Sequence, residues 1–196
     1  MDLYLASGSP RRRELLAQIG VGFERIAAPV DETPFENEPA HEYVVRLARA
    51  KAEAGWQAML AQNLPPLPVL GADTTVALAD RILGKPEDAA DAAAMLRSLS
   101  GTTHEVLTAV ALRTHNGCDS VLSLSRVRFA EMSDAQIAAY VATGEPMDKA
   151  GSYGIQGLGG LFAEHLEGSF TGVMGLPLHE TATLLARHGL GWLALR

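Results

Sequence analysis

The stretch SGSPRRR (7–13) carries the densest positive charge of a chain whose net charge is −7. Ser9 suits the N-cap of a helix and Pro10 its first position, so a helix is predicted to begin there. A helix N-terminus presents unpaired N–H groups and a partial positive charge. A strand, a Gly/Ser turn and a helix in this order therefore predict an anion-binding site. The alternative is that the arginines are solvated and the turn is only a helix cap.

Lys51 is the second candidate, because it lies on the apolar face of a long predicted helix. Val44, Leu47 and Ala48 mark that face, and Lys51 follows them at spacings of seven, four and three residues. A lysine in this position either extends its ammonium group to solvent at the rim or points into a cleft. The spacing alone leaves both interpretations open.

Asp73 ends the apolar run VLGAD, which predicts a buried strand. Ligands of α/β sheets gather at the carboxyl ends of strands, where a carboxylate can accept a proton or bind a metal. A plain turn aspartate is the alternative. The hairpin that follows would return Lys85 to the neighbourhood of Asp73. Asp31 and Glu32 of an acidic loop are candidates for a further oxygen ligand.

The glycine-rich segment DKAGSYGIQGLGG (148–160) is the last candidate. So many glycines make a poor helix or strand but let the backbone approach a ligand closely, and Gln156 adds an amide donor and an amide acceptor. A flexible loop is the alternative. The sequence has no P-loop motif, nucleophile elbow or CxxC pair, and its histidines lack zinc spacing. Cationic groups, carboxylates and this segment together predict a phosphate-bearing substrate with a divalent metal.

The periodicity that must position these residues alternates strands with helices. The predicted strands are 3–7, 22–28, 69–73, a hairpin over 74–86 that turns near Asp80, 103–114, 120–130 and a strand pair around Gly168. The predicted helices are Pro10 to about Ile19, 40–61, 87–99, Ser133 to about Thr143, and one that starts at Pro177. Crossover and hairpin connections both occur, so the expected fold class is α/β with a mixed β-sheet, in a single domain over 1–196.

Composition excludes several classes of protein. Hydrophobic residues make up 47% of the 196 residues, which is enough for a large core. A pI of about 5.3 argues against a general nucleic-acid binder. One cysteine, Cys118, rules out an intramolecular disulfide framework. No signal peptide and no membrane-length apolar run is recognised, so we expect a cytoplasmic protein without membrane or nucleic-acid partners.

Six short motifs in this order resemble the Maf family of nucleoside triphosphate pyrophosphatases: SGSPRR, VDE, LARAKA, LGADT, GKP and DKAGSYGIQG. The resemblance runs from Leu3 to about Leu185. Each motif is modest alone, whereas the ordered set is highly specific. The match is closest to the branch that acts on dTTP and UTP. It implies a mixed sheet flanked by helices with a deep substrate cleft, an architecture like that of the ITPases.

The resemblance also implies a role for each matching residue. Asp73 would be the proton acceptor. The residues implied to bind phosphate are Ser7, Arg12, Lys51 and Lys85. The residues implied to hold the metal are Glu32 and Asp73. The residues implied to select the base are Arg11, Thr74 and Gln156.

The implied reaction is hydrolysis of dTTP and UTP to the nucleoside monophosphate and pyrophosphate, with Mg²⁺ or Mn²⁺ as cofactor. Removal of modified nucleotides, a homodimeric state and a link to cell division arrest are further implications of the resemblance. Two other functions remain alternatives from the residues alone. One is a nucleotide phosphatase that releases orthophosphate, and the other is a non-catalytic nucleotide-binding regulator of septum formation.

Overall fold

A mixed sheet of seven strands organises the part of the chain that the computed structural model describes, residues 1–190. The strands are β1 (Leu3–Ala6), β2 (Phe23–Arg25), β3 (Val69–Leu78), β4 (Arg81–Leu83), β5 (Thr103–Thr114), β6 (Gly117–Phe129) and β7 (Ala163–Glu167). Their order is β2-β1-β3-β5-β6-β7, and β4 also pairs with β3. β1 runs parallel to β2 and β3, whereas all other pairs are antiparallel. The predicted mixed sheet is confirmed.

Helices cover both faces of this sheet. They are α1 (Pro10–Gln18), α2 (Ala40–Ala61), α3 (Ala89–Leu99), α4 (Asp134–Ala142), α5 (Phe170–Met174) and α6 (Leu178–Arg187). Ser9 caps α1 by accepting the N–H of Arg12, as predicted, and α4 begins at the predicted Ser133, which forms a capping box with Gln136. Within residues 1–190, no helix combines the length and the apolar character that a membrane crossing requires.

The two faces of the sheet have different covers, because neighbouring strand residues point to opposite sides. On one face α2 packs through Val44, Ala48 and Ala52 against β3 and β5. On the other face α1 and α6 enclose one apolar cluster, while α3 and α4 enclose a second one nearer β4. The long strand β3 therefore has a core on each side, and Asp73 in its middle stays buried, at 6% exposed, even where the sheet opens beside it.

The sheet does open beside the middle of β3. Along one edge of β3, β1 pairs with it as far as Gly71, and β4 pairs with it from Val76 onward. Positions 72–75 thus have no strand partner on that edge, although β5 pairs with them on the other. This interruption places Asp73 at a gap in the sheet rather than in a surface turn, so the plain-turn interpretation of Asp73 is wrong.

One predicted element is wrong. The strand pair around Gly168 has only its first member, β7, because the chain turns at Gly168 with φ of 113° and then forms the short helix α5. Ser169 starts that helix by accepting the N–H of Gly172 at 2.9 Å. A serine N-cap outweighs the weak strand pattern of the following residues.

Candidate active site

A cleft of about 950 Å³ opens at the gap beside β3. Its walls come from the turn after β1, the start of α1, the middle of β3, the loop after β4 and the glycine-rich segment. The cleft is lined by every site residue named from the sequence: Ser7, Arg11, Arg12, Glu32, Lys51, Asp73, Thr74, Lys85 and Gln156. Asp31, the other acidic candidate, does not line it and instead accepts the N–H of Thr33 at the surface.

Arg12 is anchored at the floor of the cleft by three neutral oxygen atoms. Its Nε donates to the carbonyl of Gly175 at 2.8 Å, Nη1 to Ser7 Oγ at 3.1 Å and Nη2 to Thr74 Oγ1 at 3.0 Å. Among residues 1–190, no carboxylate forms an ion pair with Arg12. Its positive charge is therefore fixed in place without a contacting anion, which suits a site for phosphate.

Burial lowers the pKa of Arg12, and the negative charge of Asp73 opposes this effect. Thr74 accepts from Arg12 while its hydroxyl lies 2.9 Å from that of Thr108, which donates to the carbonyl of Gly172 at 2.7 Å. This chain of hydrogen bonds uses both the proton and an oxygen lone pair of Thr74. A hydroxyl oxygen has two lone pairs, so Thr74 keeps one acceptor position for a further donor such as a base N–H.

Asp73, Lys51 and Glu32 form the second charged group of the cleft. Lys51 Nζ lies 2.6 Å from Asp73 Oδ1 and 2.7 Å from Glu32 Oε1. Gly71 makes this approach possible, because a Cβ atom there would lie 2.5 Å from the backbone of Ala48 in α2. The glycine thus lets α2 press onto β3, and Lys51 points into the cleft rather than to the rim.

The environment raises the pKa of Asp73 above its ordinary value. Burial is the largest cause, and the charges of Lys51 and Arg12 oppose it. For Glu32 burial also raises the pKa, but hydrogen bonding and charge from Lys51 outweigh it, so the net pKa is lowered. Burial together with Asp73 and Glu32 raises the pKa of Tyr43 to about 12. Asp73 is thus the carboxylate whose proton affinity suits a general base.

Asp73 and Glu32 are also the residues placed to hold a metal. Within residues 1–190, no three His, Cys, Asp or Glu side chains group closely enough to hold a metal by themselves. Mg²⁺ usually takes one or two carboxylates and completes its shell with water and substrate phosphates. The two carboxylates that meet at Lys51 fit a cation of that kind.

The far wall of the cleft is the glycine-rich segment, shaped by three 3-10 turns, Glu145–Asp148, Ala150–Ser152 and Leu158–Phe162. Gln156 lies on this wall and is exposed, and Tyr153, Gly154 and Ile155 line the wall beneath it. Arg11 lies nearby with its Nη1 4.0 Å from Asp148. Lys85 faces the cleft and forms no hydrogen bond or ion pair with any other residue in 1–190.

Several residues that shape this site were not predicted from the sequence. Tyr43 donates to the carbonyl of Glu32 at 2.9 Å, and its place eight residues before Lys51 on α2 was a usable signal. No feature of the sequence indicates Thr108 or Gly175, which hold Arg12 directly or through Thr74. Thr108 lies inside a strand, and Gly175 acts through its backbone carbonyl. Arg25 and Lys149 also line the cleft.

The fold and the site together define an α/β protein with a cleft built to bind a phosphorylated ligand. The sequence profile described as Maf-like protein matches residues 2–188. The chain belongs to the Maf family.

Relatives of similar length agree with this assignment. A Chromobacterium violaceum protein is 56% identical over 187 residues, which cover 95% of this chain and 94% of that protein. An Aromatoleum aromaticum protein is 58% identical over 196 residues, with 95% of each chain covered. Both bear the name dTTP/UTP pyrophosphatase. The solved Ham1 protein of Staphylococcus aureus matches 67% of this chain and 73% of its own at 14% identity, with a TM-score of 0.47, a likeness too weak to support a conclusion.

Proposed function

We propose that the protein hydrolyses dTTP and UTP to the nucleoside monophosphate and pyrophosphate. The observation that carries this proposal is the buried Asp73 at the gap in the sheet, which Lys51 contacts. It lies beside an anchored Arg12 that pairs with no carboxylate of residues 1–190. The relatives named dTTP/UTP pyrophosphatase support the substrate. This reaction would use a base and cations that contact phosphate oxygens, and Asp73 and the basic residues of the cleft are proposed to supply them.

Arg12, Lys51, Lys85 and Ser7 bind the triphosphate, and Asp73 acts on water. The water oxygen attacks the α-phosphorus, the bond from that phosphorus to the β-phosphate oxygen breaks, and Asp73 accepts the proton. The raised pKa of Asp73 makes it a stronger base than an ordinary aspartate. Most of the rate enhancement in phosphoryl transfer comes from positioning and charge neutralisation. The fixed side chains of Arg12 and Lys51 supply both.

Asp73 and Glu32 would hold Mg²⁺ or Mn²⁺. When bound, such a cation neutralises phosphate charge and lowers the pKa of its own water. The bridge through Lys51 keeps the two carboxylates close in the free protein, since an ammonium ion offsets their mutual repulsion.

Gln156 reads the base from the opposite wall. Thymine and uracil present a carbonyl, an N–H and a second carbonyl along one edge, and an amide side chain complements an adjacent N–H and carbonyl. Cytosine has an amine in place of one carbonyl and lacks the N–H, so donors would face donors. An unpaired buried polar group costs about 1–3 kcal/mol, which corresponds to roughly a tenfold to hundredfold preference for the two accepted bases.

The decisive experiment is analysis of the products formed from dTTP in the presence of Mg²⁺. Thymidine monophosphate with pyrophosphate is the expected result. Release of orthophosphate would indicate a phosphatase, and binding without turnover would indicate a regulator. Omission of the metal in the same assay tests the cofactor.

A panel of triphosphates then tests the base. We expect dTTP and UTP to be used well, and CTP, dCTP and purine triphosphates much less. In Gln156→Glu the preference should weaken, because a carboxylate offers no donor to a carbonyl. An unchanged preference in that variant would remove Gln156 from base selection. A homodimeric state and a link to division arrest stay predictions of the family resemblance, and a cytoplasmic location stays a prediction from the sequence.

A further inference from the structure

The wall that carries Gln156 is held by a single carboxylate. Glu145 Oε2 accepts the N–H of Leu158 at 2.9 Å, and Oε1 accepts the N–H of Gly159 at 3.0 Å. Oε1 also accepts the hydroxyl proton of Tyr140 at 2.8 Å. One side chain therefore takes two backbone donors that follow Gln156 in sequence, in a segment with no strand or α-helix to satisfy them.

Tyr140 extends this network to the residues that precede Gln156. Its hydroxyl oxygen accepts the N–H of Gly154 at 3.1 Å, while its proton goes to Glu145. Tyr140 is 4% exposed, and its ring packs on Phe162 with centroids 5.3 Å apart. The backbone on both sides of Gln156 is thus tied to the same pair of side chains.

Glycines leave the room that these contacts need. A Cβ atom at Gly157 would lie 2.5 Å from Glu145 Oε2, and one at Gly159 would lie 2.6 Å from the Tyr140 hydroxyl oxygen. Both glycines have negative or extended φ values, so their role here is close approach and not an unusual backbone conformation. The network and the glycine pattern of GIQGLGG depend on each other.

The carboxylate is ionised in this setting. Burial raises the pKa of Glu145, but the N–H groups of Gly159 and Leu158 outweigh it and leave the pKa lowered. The ammonium group of Lys149 donates to the backbone carbonyl of Glu145 at 2.6 Å, so it braces the same turn from its other side. The Glu145 carboxylate is therefore negatively charged at neutral pH and can accept the N–H groups of Leu158 and Gly159.

We propose that Glu145 is a positioning residue for base selection, which fixes the backbone around Gln156 through Leu158, Gly159 and Tyr140 before a nucleotide binds. The inference rests on the proposed function, because it assigns Gln156 to the base. Glu145 does not line the cleft, so it acts through the loop and not by touching the substrate.

The test compares Glu145→Gln with Glu164→Gln, which removes the same charge from an exposed pair with Arg128 outside the cleft. The amide that Glu145→Gln introduces cannot accept at both positions, so one backbone N–H is left without a partner. Hydrogen–deuterium exchange of the peptide 154–160 in the free protein should be at least about tenfold faster in Glu145→Gln and unchanged in Glu164→Gln. Tyr140→Phe keeps the ring and should accelerate exchange at Gly154 alone.

Affinity supplies the second measurement. UTP and CTP dissociation constants are determined in an Asp73→Asn background, so that no turnover is needed. The preference for UTP should fall about tenfold in Glu145→Gln, with little change in the affinity for CTP. Equal weakening of both nucleotides would indicate a merely structural role and would overturn the inference.

The remaining outcomes are equally informative. Unchanged exchange in Glu145→Gln would show that the carboxylate does not hold the loop. Faster exchange with an unchanged preference would show that the loop is held but does not select the base. Either result overturns the inference, whereas failure of the proposed function appears separately, as wild-type protein that releases no pyrophosphate from dTTP.

Discussion

The two ends of the cleft are built by different means. At the end proposed to bind phosphate, the phosphate end, the charged side chains of Arg12, Lys51 and Asp73 contact one another or fixed oxygens at 2.6–3.1 Å. At the end proposed to select the base, the base end, an exposed Gln156 lies on a loop whose backbone is held by Glu145. Regular structure thus fixes the groups that would do chemistry, while a loop with glycine at close contacts presents the group that would select the substrate.

This difference separates rate from selectivity. A variant at the phosphate end should slow the reaction of all nucleotides alike, because every triphosphate has the same reacting atoms. A variant at the base end should change which nucleotide is preferred and leave the chemical step nearly intact. The predictions below test that separation, from the largest expected effect to the smallest.

Asp73→Asn should lower kcat by at least about a hundredfold, which is the scale for loss of a general base. The side chain keeps its size, so far-UV circular dichroism and the unfolding midpoint should show an intact fold. The loss should be equal for dTTP and UTP. Turnover within a few fold of wild type would remove Asp73 from the mechanism.

Arg12→Ala should lower kcat/KM by roughly ten- to a hundredfold, because a charge-assisted contact to phosphate is lost. The factor should be similar for dTTP and UTP. Arg13→Ala is the matched control, since Arg13 lies next in the same helix and is exposed. Steady-state kinetics of both variants with both substrates measure the contrast, and a change of preference in Arg12→Ala would contradict the separation of the two ends.

His104 lies behind Tyr153, which lines the far wall of the cleft, and it tests the packing of that wall through stability. It is 1% exposed, its Nε2 lies 2.8 Å from the hydroxyl of Tyr153, and burial lowers its pKa to about 4. The unfolded chain binds the proton near its ordinary pKa of 6.5, so stability is complete above that pH and decreases as the pH falls toward 4. Between pH 7.5 and 5 this histidine should account for a loss of about 2 kcal/mol.

Urea unfolding of wild type and His104→Gln at those two pH values measures this contribution. The variant should lose correspondingly less stability on acidification. Equal losses in the two proteins would show that His104 titrates normally in the folded state.

Lys51→Met should move the acid limb of the rate profile by about one pH unit. The base must be ionised, so the rate falls as the pH falls through the pKa of Asp73. Burial and the charge of Glu32 raise the pKa of Asp73, and Lys51 counteracts them. Without Lys51 the pKa of Asp73 therefore rises, and the acid limb moves to higher pH. Lys85→Met is the control, because it should weaken substrate binding without a shift of the limb.

Much of the fold could be predicted from the sequence, because each signal was local. Ser9 and Pro10 predict the start of α1, and the apolar spacing around Lys51 predicts the face of α2. The strand predicted after Gly168 is wrong and shows the limit of such local prediction. The strand pattern of the next five residues is weak, and the N-cap Ser169 makes them a helix instead. Local chemistry sets where elements begin, whereas their pairing depends on the rest of the chain.

The charged residues of the site could be predicted from the sequence more easily than the atoms that hold them in place. Charged residues in a sequence attract attention, but the atoms that hold them are often neutral or belong to the backbone. The carbonyl of Gly175, 163 residues from Arg12, is one such atom. Glu145 could not be singled out from the sequence, where it is an acidic residue beside a glycine-rich segment. Its partners are backbone N–H groups, which the residue types do not reveal.

The interruption beside β3 has a mechanical consequence. β3 pairs with β5 without a break from Val69 to Ala77, so both ends of the cleft are fixed to one continuous ladder. The cleft is thus a gap within one continuous sheet, and closing it would require that pair of strands to bend. Nucleotide entry and product release therefore fall to the exposed side chains at the cleft, such as those of Lys85 and Gln156, and not to a rearrangement of the sheet.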